Sequence, residues 1–170
     1  MVAVRGSHLL NPQDFVIEQW CAGLKLAEQT EKSLIDAWYY ARDLMSTHPD
    51  EMKNATLMLQ SGVEMVEILH ELNMDAETLL TAMLFPIVAN KLTDWESLKE
   101  KFGAKITKLL KGVLEMDNIR QLNASHSANA LQVDNVRRML LAMVDDFRCV
   151  VIKLAERISY LRNTHRYTEE

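Results

Sequence analysis

The sequence predicts an all-α protein, a multi-helix bundle, from three observations. Apolar residues recur at steps of three and four along most of the chain, which is the period of one face of a helix. The 170 residues include only five Gly and three Pro, while 48% are apolar, and this composition favours helices. No segment keeps the two-residue alternation of a half-buried strand. A chain of this length is predicted to form a single domain over residues 1–170, with a helical core over 10–165.

The first six helices are predicted in chain order after a loose arm over residues 1–10. Asn11-Pro12 begins the first helix, because Pro is favoured at the first helical position, and this helix runs to Trp20. Pro49 ends the second helix, since it disfavours helical geometry at the residue before it. The second to sixth helices are predicted near residues 30–45, 57–72, 75–90, 93–102 and 106–122.

The fourth helix carries Pro86 inside an otherwise helical pattern. Proline removes one backbone hydrogen bond and clashes with the preceding turn, at a cost of ~3 kcal/mol. The helix is therefore predicted to kink or to end at this point. The polar, small-residue segment over 123–128 is predicted to be a loop, with the rim of a pocket as the alternative.

The last long stretch, residues 132–162, is predicted to form two consecutive helices that meet near Asp146. A short carboxylate accepts hydrogen bonds from the free N–H groups of a first helical turn, so Asp146 is a suitable cap. The apolar stripe of the second of these helices predicts that it is the inner wall around which the bundle forms.

Composition and charge exclude several classes of function. The formal net charge is −5 and no basic block occurs, which argues against direct nucleic-acid binding, because phosphate neutralisation needs clustered Lys and Arg. No signal peptide or membrane span is predicted, and Cys21 and Cys149 lack the spacing of a metal site or a disulfide. We expect buried, reduced thiols in a cytoplasmic protein.

Two short motifs are candidates for metal chemistry. Glu67 and His70 form an E-x-x-H pair, of which di-iron bundles need two, so a solvated pair without a metal is the preferred interpretation. Asp145-Asp146 has the ligand type for a hard cation, but adjacent residues do not face one way on a helix, and capping is preferred. The remaining histidines stand alone in predicted loops or near the termini: His8, His48, His126 and His165. No glycine-rich phosphate loop is present.

Three runs of residues carry a resemblance to a known family. These are Val66-Glu-Ile-Leu-His-Glu-Leu72, Arg137-Arg-Met-Leu-Leu-Ala-Met143 and Val151-Ile-Lys-Leu-Ala-Glu-Arg157. The chain resembles the N-terminal hydrolase-type domain of the long RelA/SpoT (p)ppGpp synthetase/hydrolase family, an all-helical fold of the HD phosphohydrolase superfamily. Within that family it is most similar to the ribosome-linked synthetases. The resemblance implies that active members bind one Mn²⁺ through two His and two Asp, and that the metal activates water to remove the 3′-pyrophosphate of (p)ppGpp.

The positions that the resemblance assigns to this chemistry hold unsuitable residues here. The first ligand His, from a His-Pro pair, falls at Gly62, which has no side chain. The His-Asp pair that names the superfamily falls at Phe85-Pro86, which offers no ligand atom. The Glu-Asp pair that activates water and holds substrate falls at Ala89-Asn90. These substitutions predict an apolar pocket that opposes a hydrated cation.

Three further positions complete the comparison. The last ligand Asp is replaced by Glu156, the substrate-contacting Asn falls at Tyr160, and an upstream Arg falls at Lys53. Glu156 retains a carboxylate, but one carboxylate does not hold Mn²⁺ usefully. We therefore predict that the metal site is lost, with no cofactor and no catalytic residue in this chain.

The resemblance implies an N-terminal fragment of a GTP pyrophosphokinase of the stringent response. Its partner would be a synthetase domain that follows residue 170, which it would support as a structural and regulatory platform, and the longer protein would associate with ribosomes. Two alternatives remain open. One is an allosteric module that binds a guanine nucleotide in the vacated pocket. The other is a hydrolase with a rebuilt site that uses Glu64, Glu67, His70 or Glu156.

Overall fold

A computed structural model of the chain describes residues 15–47, 52–124 and 146–167, with side chains described over 15–47, 55–116 and 146–163. Within these ranges the chain forms seven helices and no strand, so the all-α prediction is confirmed. Several predicted parts lie outside these ranges: the arm, Asn11-Pro12, the helix over 132–145 and positions 125–128 of the predicted loop. Positions 123 and 124 of that loop are instead the last residues of the sixth helix. The helices are α1 (Ile17–Leu24), α2 (Glu28–Ser46), α3 (Met52–Glu71), α4 (Ala76–Ala89), α5 (Trp95–Phe102), α6 (Ala104–Ala124) and α7 (Arg148–Tyr167).

Aspartate side chains cap the N-termini of three of these helices. Asp75 accepts the backbone N–H of Thr78 at 2.9 Å at the start of α4. Asp94 accepts two backbone N–H groups at 2.9 and 3.0 Å at the start of α5. Asp146 accepts the backbone N–H of Arg148 at 3.1 Å, which confirms the predicted cap at the start of α7.

Pro86 lies in the last turn of α4, and the helix ends at Ala89. The backbone N–H and the side-chain amide of Asn90 both donate to the Pro86 carbonyl, at 3.2 and 2.8 Å. The helix therefore continues for one turn past Pro86 before it ends, and the side-chain amide of Asn90 adds a second donor to the Pro86 carbonyl at that end.

The centre of the bundle is α4, with every residue from 78 to 88 buried. It packs against α2, α3, α6 and α7. The prediction that the last helix is the inner wall was wrong, because Leu154 and Ile158 of α7 are exposed, together with Phe147 directly before it. A helix that is apolar on all sides requires burial on all sides, whereas α7 is amphipathic.

Two glycines allow helices to cross closely. A Cβ on Gly62 of α3 would lie 3.2 Å from the backbone oxygen of Met83 in α4. A Cβ on Gly112 of α6 would lie 2.7 Å from the sulfur of Cys149 in α7. The close α3–α4 crossing places the middle of α3 directly beside the end of α4 where Phe85 and Pro86 lie.

Arg148 joins the start of α7 to the start of α4. Its guanidinium lies 2.7 Å from both Asp75 and Asp146 and 3.0 Å from Glu77, with 22% of the side chain exposed. The hydrogen bond from Arg148 lowers the pKa of Asp146, although burial opposes this shift. Three carboxylates around one guanidinium fix the direction in which α7 leaves the α4 N-terminus.

Candidate functional site

A cleft of about 240 Å³ lies where α3, the end of α4 and α7 meet. Five of the eight positions that the resemblance assigned to hydrolase chemistry line it, so the fold brings most of them together. The complete lining consists of Leu57, Met58, Ser61, Phe85, Pro86, Ala89, Asn90 and Glu156.

The other three predicted positions do not line this cleft. Gly62 is directed at Met83 on the α3–α4 crossing, and Ser61 occupies the lining in its place. Tyr160 is 43% exposed, with the Arg157 guanidinium 6.0 Å from its ring centroid. Lys53 begins α3, but its side chain lies outside the described residues.

Sequence reasoning missed three lining residues, all on α3: Leu57, Met58 and Ser61. The spacing of Ser61 from Leu57 and Met58, four and three residues, places all three on one face of α3. This spacing was available in the sequence, but it identifies the cleft-facing side only once the partner helices are known.

Glu156 provides the carboxylate of the cleft, and it is ion-paired. Its Oε2 atom lies 2.9 Å from the Lys153 ammonium and 3.6 Å from Nε of Arg157. The same oxygen is buried and receives no well-directed hydrogen bond, so charge is its main stabilising interaction. The Lys153 ammonium also lies 5.2 Å from the ring centroid of Phe85, which is 3% exposed.

The remaining groups of the lining offer little to a divalent cation. Phe85, Pro86 and Ala89 present carbon atoms, and the amide nitrogen of Asn90 donates to the Pro86 carbonyl. Mn²⁺ takes imidazole and carboxylate ligands. One ion-paired carboxylate with a serine hydroxyl and an amide does not fit the Mn²⁺ that the resemblance implies.

The groups named for a rebuilt hydrolase site lie apart. Glu67 accepts the indole N–H of Trp20 in α1 at 2.8 Å, so it is held by another side chain rather than solvated as the preferred interpretation of the E-x-x-H pair expected. Glu64 is only 6% exposed and accepts hydrogen bonds from three α3 and α7 side chains: Gln60 at 2.9 Å, Ser159 at 2.9 Å and Asn163 at 2.7 Å. Among the described residues, no three His, Cys, Asp or Glu side chains converge as a metal site would require.

The cysteines are free and buried, as predicted. Burial raises the pKa of Cys21 to about 11, and burial also raises the pKa of Cys149. Both thiols therefore stay protonated at neutral pH and are poor nucleophiles. The side chains of the four isolated histidines, His8, His48, His126 and His165, lie outside the described residues.

Comparison with known proteins gives two kinds of match. The HD domain family matches residues 37–170. The chain is 93% identical over its full length to a GTP pyrophosphokinase of Haemophilus influenzae and 47% identical to a GTP pyrophosphokinase of Escherichia coli strain K12, and it covers 23% of each.

A more distant relative is the bifunctional (p)ppGpp synthase/hydrolase SpoT of Escherichia coli strain K12. It is 29% identical over 138 residues, which cover 81% of this chain and 19% of SpoT. Separately, no helix in the described parts of the chain has the length and apolar character to cross a membrane.

Proposed function

Because the chain belongs to the HD domain family, we propose that it is a pseudo-hydrolase, a structural and regulatory platform within a longer GTP pyrophosphokinase. The predicted resemblance to the RelA/SpoT enzymes is confirmed by the relatives. The chain spans 23% of the length of the GTP pyrophosphokinases it matches. Synthesis of ppGpp in the stringent response, ribosome association and a cytoplasmic location are therefore proposals about that longer protein.

The observation that carries the loss of hydrolysis is the lining of the cleft. Phe85, Pro86 and Ala89 present carbon atoms where the family's ligands and water-activating group would stand, and the carboxylate of the cleft, Glu156, is already ion-paired. Metal-dependent hydrolysis needs a cation that makes hydroxide near neutral pH, and that cation needs several charged or imidazole ligands. The lining supplies neither the ligands nor an unpaired negative charge.

A direct assay tests this part of the proposal. The purified chain is incubated with ppGpp and Mn²⁺, and pyrophosphate release is followed, with the SpoT relative as the positive control. We expect release at the rate of buffer alone, and elemental analysis should find no stoichiometric transition metal in the purified chain. Turnover above buffer would show that the site has been rebuilt.

The platform role is supported by an apolar face on α7. Leu154 and Ile158 within α7 are 57% and 40% exposed, and Phe147, directly before the helix, is 62% exposed. Such a stripe on an amphipathic helix favours packing against another element. Since the relatives are about four times longer than this chain, we assign the covering element to the remainder of the longer protein.

Two exposed leucines provide a matched test of this face. Leu154 on α7 and Leu72 at the end of α3 are 57% and 58% exposed, so aspartate at either position should leave the isolated chain folded. In the full-length protein, we expect Leu154→Asp to change the pyrophosphokinase rate and Leu72→Asp to leave it unchanged. Equal effects of the two substitutions would remove α7 as the docking face.

The alternative of a guanine-nucleotide module requires the same cleft to hold a ligand. The cleft is open, but its volume of about 240 Å³ is below the roughly 300–1,000 Å³ of small-molecule sites. The negative Glu156 carboxylate on its lining also opposes phosphate groups. Calorimetric titration with ppGpp, GDP and GTP should therefore give no binding heat, and saturable heat with any of them would favour the alternative.

A further inference from the structure

A second cavity, of about 220 Å³, lies between α6 and the start of α7. Five residues of α6 line it together with Asp146 and Cys149, and none of these residues lines the cleft beside Glu156. Its volume is below the range of about 300–1,000 Å³ for drug-sized ligands, so only a smaller molecule fits. At the packing density of protein interiors, about 0.75, a molecule of about 165 Å³ fills it.

The floor of this cavity is apolar. Leu109 and Cys149 are 3% and 5% exposed, and the Cys149 thiol donates to the Leu109 carbonyl at 3.8 Å. Gly112 adds only backbone to the floor, and a Cβ there would lie 2.7 Å from the Cys149 sulfur. A neutral thiol behaves as a small apolar group, so the floor favours the hydrocarbon part of a ligand.

Two lysines form one side of the rim. Lys108 and Lys111 are exposed and three residues apart on α6, so they are neighbours on the helix surface. The Lys111 ammonium lies 5.1 Å from the ring centroid of Trp95. The hydrogen bond from Arg148 lowers the pKa of Asp146, and the charge of Lys108 contributes to this shift, so Lys108 lies close to the cavity. Two neighbouring ammonium groups favour one anion between them.

The two carboxylates of the lining differ in what they leave open to a ligand. Asp146 accepts the Arg148 guanidinium on both oxygens, at 2.9 and 2.7 Å, so its charge is already balanced. Glu115 is exposed and follows Lys111 by one turn of α6. Its charge repels an anion at that end of the cavity, so we expect a ligand carboxylate nearer to Lys108.

We propose that this cavity binds a small organic acid, with an apolar body on the floor and a carboxylate between Lys108 and Lys111. Exposed lysines on a helix are usually solvated, and the apolar cavity beneath these two distinguishes them. The site shares no residue with the cleft. The inference therefore goes beyond the proposed function, and it stands or fails independently of ppGpp hydrolysis.

A titration with two probes of opposite charge tests the site. The chain, with isotope-labelled leucine methyl groups, is titrated with phenylpropanoate and with phenylpropylamine, which carry the same apolar body. We expect phenylpropanoate to shift the Leu109 methyl resonances saturably, with a dissociation constant of about 1 mM, and the amine to bind at least about tenfold more weakly. Leu57, which lines the cleft, should not shift. No saturable shift at Leu109, or equal affinity for the amine, would overturn the proposal.

Three lysine substitutions separate this site from general attraction of an anion. Lys108→Gln and Lys111→Gln should each weaken phenylpropanoate binding about threefold to tenfold. The control is Lys105→Gln, since Lys105 is also exposed on α6 but lies outside the lining and pairs with Glu77 at 3.2 Å. It should leave the affinity within about twofold, and all three variants should keep the circular dichroism of the unaltered chain. Equal losses in the three variants, or no loss at Lys108 and Lys111, would refute the assignment of the carboxylate.

Discussion

Histidine substitution on α3 distinguishes the residue that faces the cleft from the residue that faces α4. The two variants are Ser61→His and Gly62→His. Ser61 lines the cleft of about 240 Å³, whereas a Cβ on Gly62 would lie 3.2 Å from the Met83 carbonyl oxygen and 3.5 Å from its sulfur. The carbonyl belongs to the buried centre of α4, so it cannot move unless the helix moves.

The structure predicts how much the melting temperatures of the two variants differ. Overpacking a helix contact costs about 1–3 kcal/mol, while replacing Gly in a helix gains up to about 1 kcal/mol. An imidazole extends well beyond the Cβ, so we expect Gly62→His to lose about 2 kcal/mol. At roughly 2–4 °C per kcal/mol for a chain of this length, its melting temperature should fall by about 4–8 °C. Ser61→His loses two long hydroxyl contacts, to Ser159 at 3.4 Å and to the Met65 sulfur at 4.0 Å, and its melting temperature should fall by less than about 2 °C.

Thermal unfolding followed by circular dichroism measures both variants, with Gly23→His as the control. A Cβ on Gly23 would meet no heavy atom within 4 Å, so this substitution should not lower the melting temperature. The reasoning fails if Ser61→His destabilises the chain as much as Gly62→His, or if Gly62→His melts like the unaltered chain.

Three further substitutions test the polar contacts. Arg148→Met should cost about 1–3 kcal/mol at neutral pH. The folded-state pKa of Asp146 is lowered, so its stabilisation is present at neutral pH and is lost as pH falls below about 4. The free energy of unfolding, measured with urea, should therefore depend less on pH in the variant than in the unaltered chain over that range. Asp94→Ala removes the cap of α5 and should lower the free energy of unfolding in urea by about 1 kcal/mol without changing the m-value. A changed m-value would mean that more than the cap has been lost. Glu64→Gln introduces an N–H₂ group among three donors, including Ser159, and should cost about 1–3 kcal/mol in the same assay; an unchanged midpoint would mean that those donors have other partners.

Local chemistry allowed much of the helix order to be predicted from sequence. Asp94 and Asp146 begin helices because a short carboxylate meets free N–H groups within three residues, and this needs no knowledge of the rest of the chain. The fourth helix was similarly predicted to stop near Pro86. The start of α3 was predicted five residues too late, at Leu57 rather than Met52, since the apolar pattern begins after the helix does.

Contacts between helices explain what the sequence did not predict. The pattern of α7 resembles that of a core helix, but burial is decided by its neighbours, and α4 is the helix enclosed on every side. Gly62 and Ser61 point about 100° apart around the axis of α3. If the family's first ligand is aligned with Gly62 it falls on the face of α3 that meets α4, and if it is aligned one residue earlier, with Ser61, it falls on the face that meets the cleft. The contact between Lys153 and Phe85 joins residues 68 positions apart and has no signature in either segment.

In the proposed pseudo-hydrolase, the absence of the family's metal ligands and the burial of α4 have a common physical basis. Phe85 and Pro86 extend the apolar surface of α4 to the edge of the cleft, so the end of the helix gains burial where a metal site would need polar ligands. That change leaves Glu156 facing carbon, and a half-buried carboxylate needs a nearby positive charge. Lys153, one turn earlier on the same helix, provides that charge and contacts the Phe85 ring. A single restored histidine at Phe85 would therefore remove the aromatic contact of Lys153 without creating a metal site, so recovery of hydrolysis requires changes on α3, α4 and α7 together.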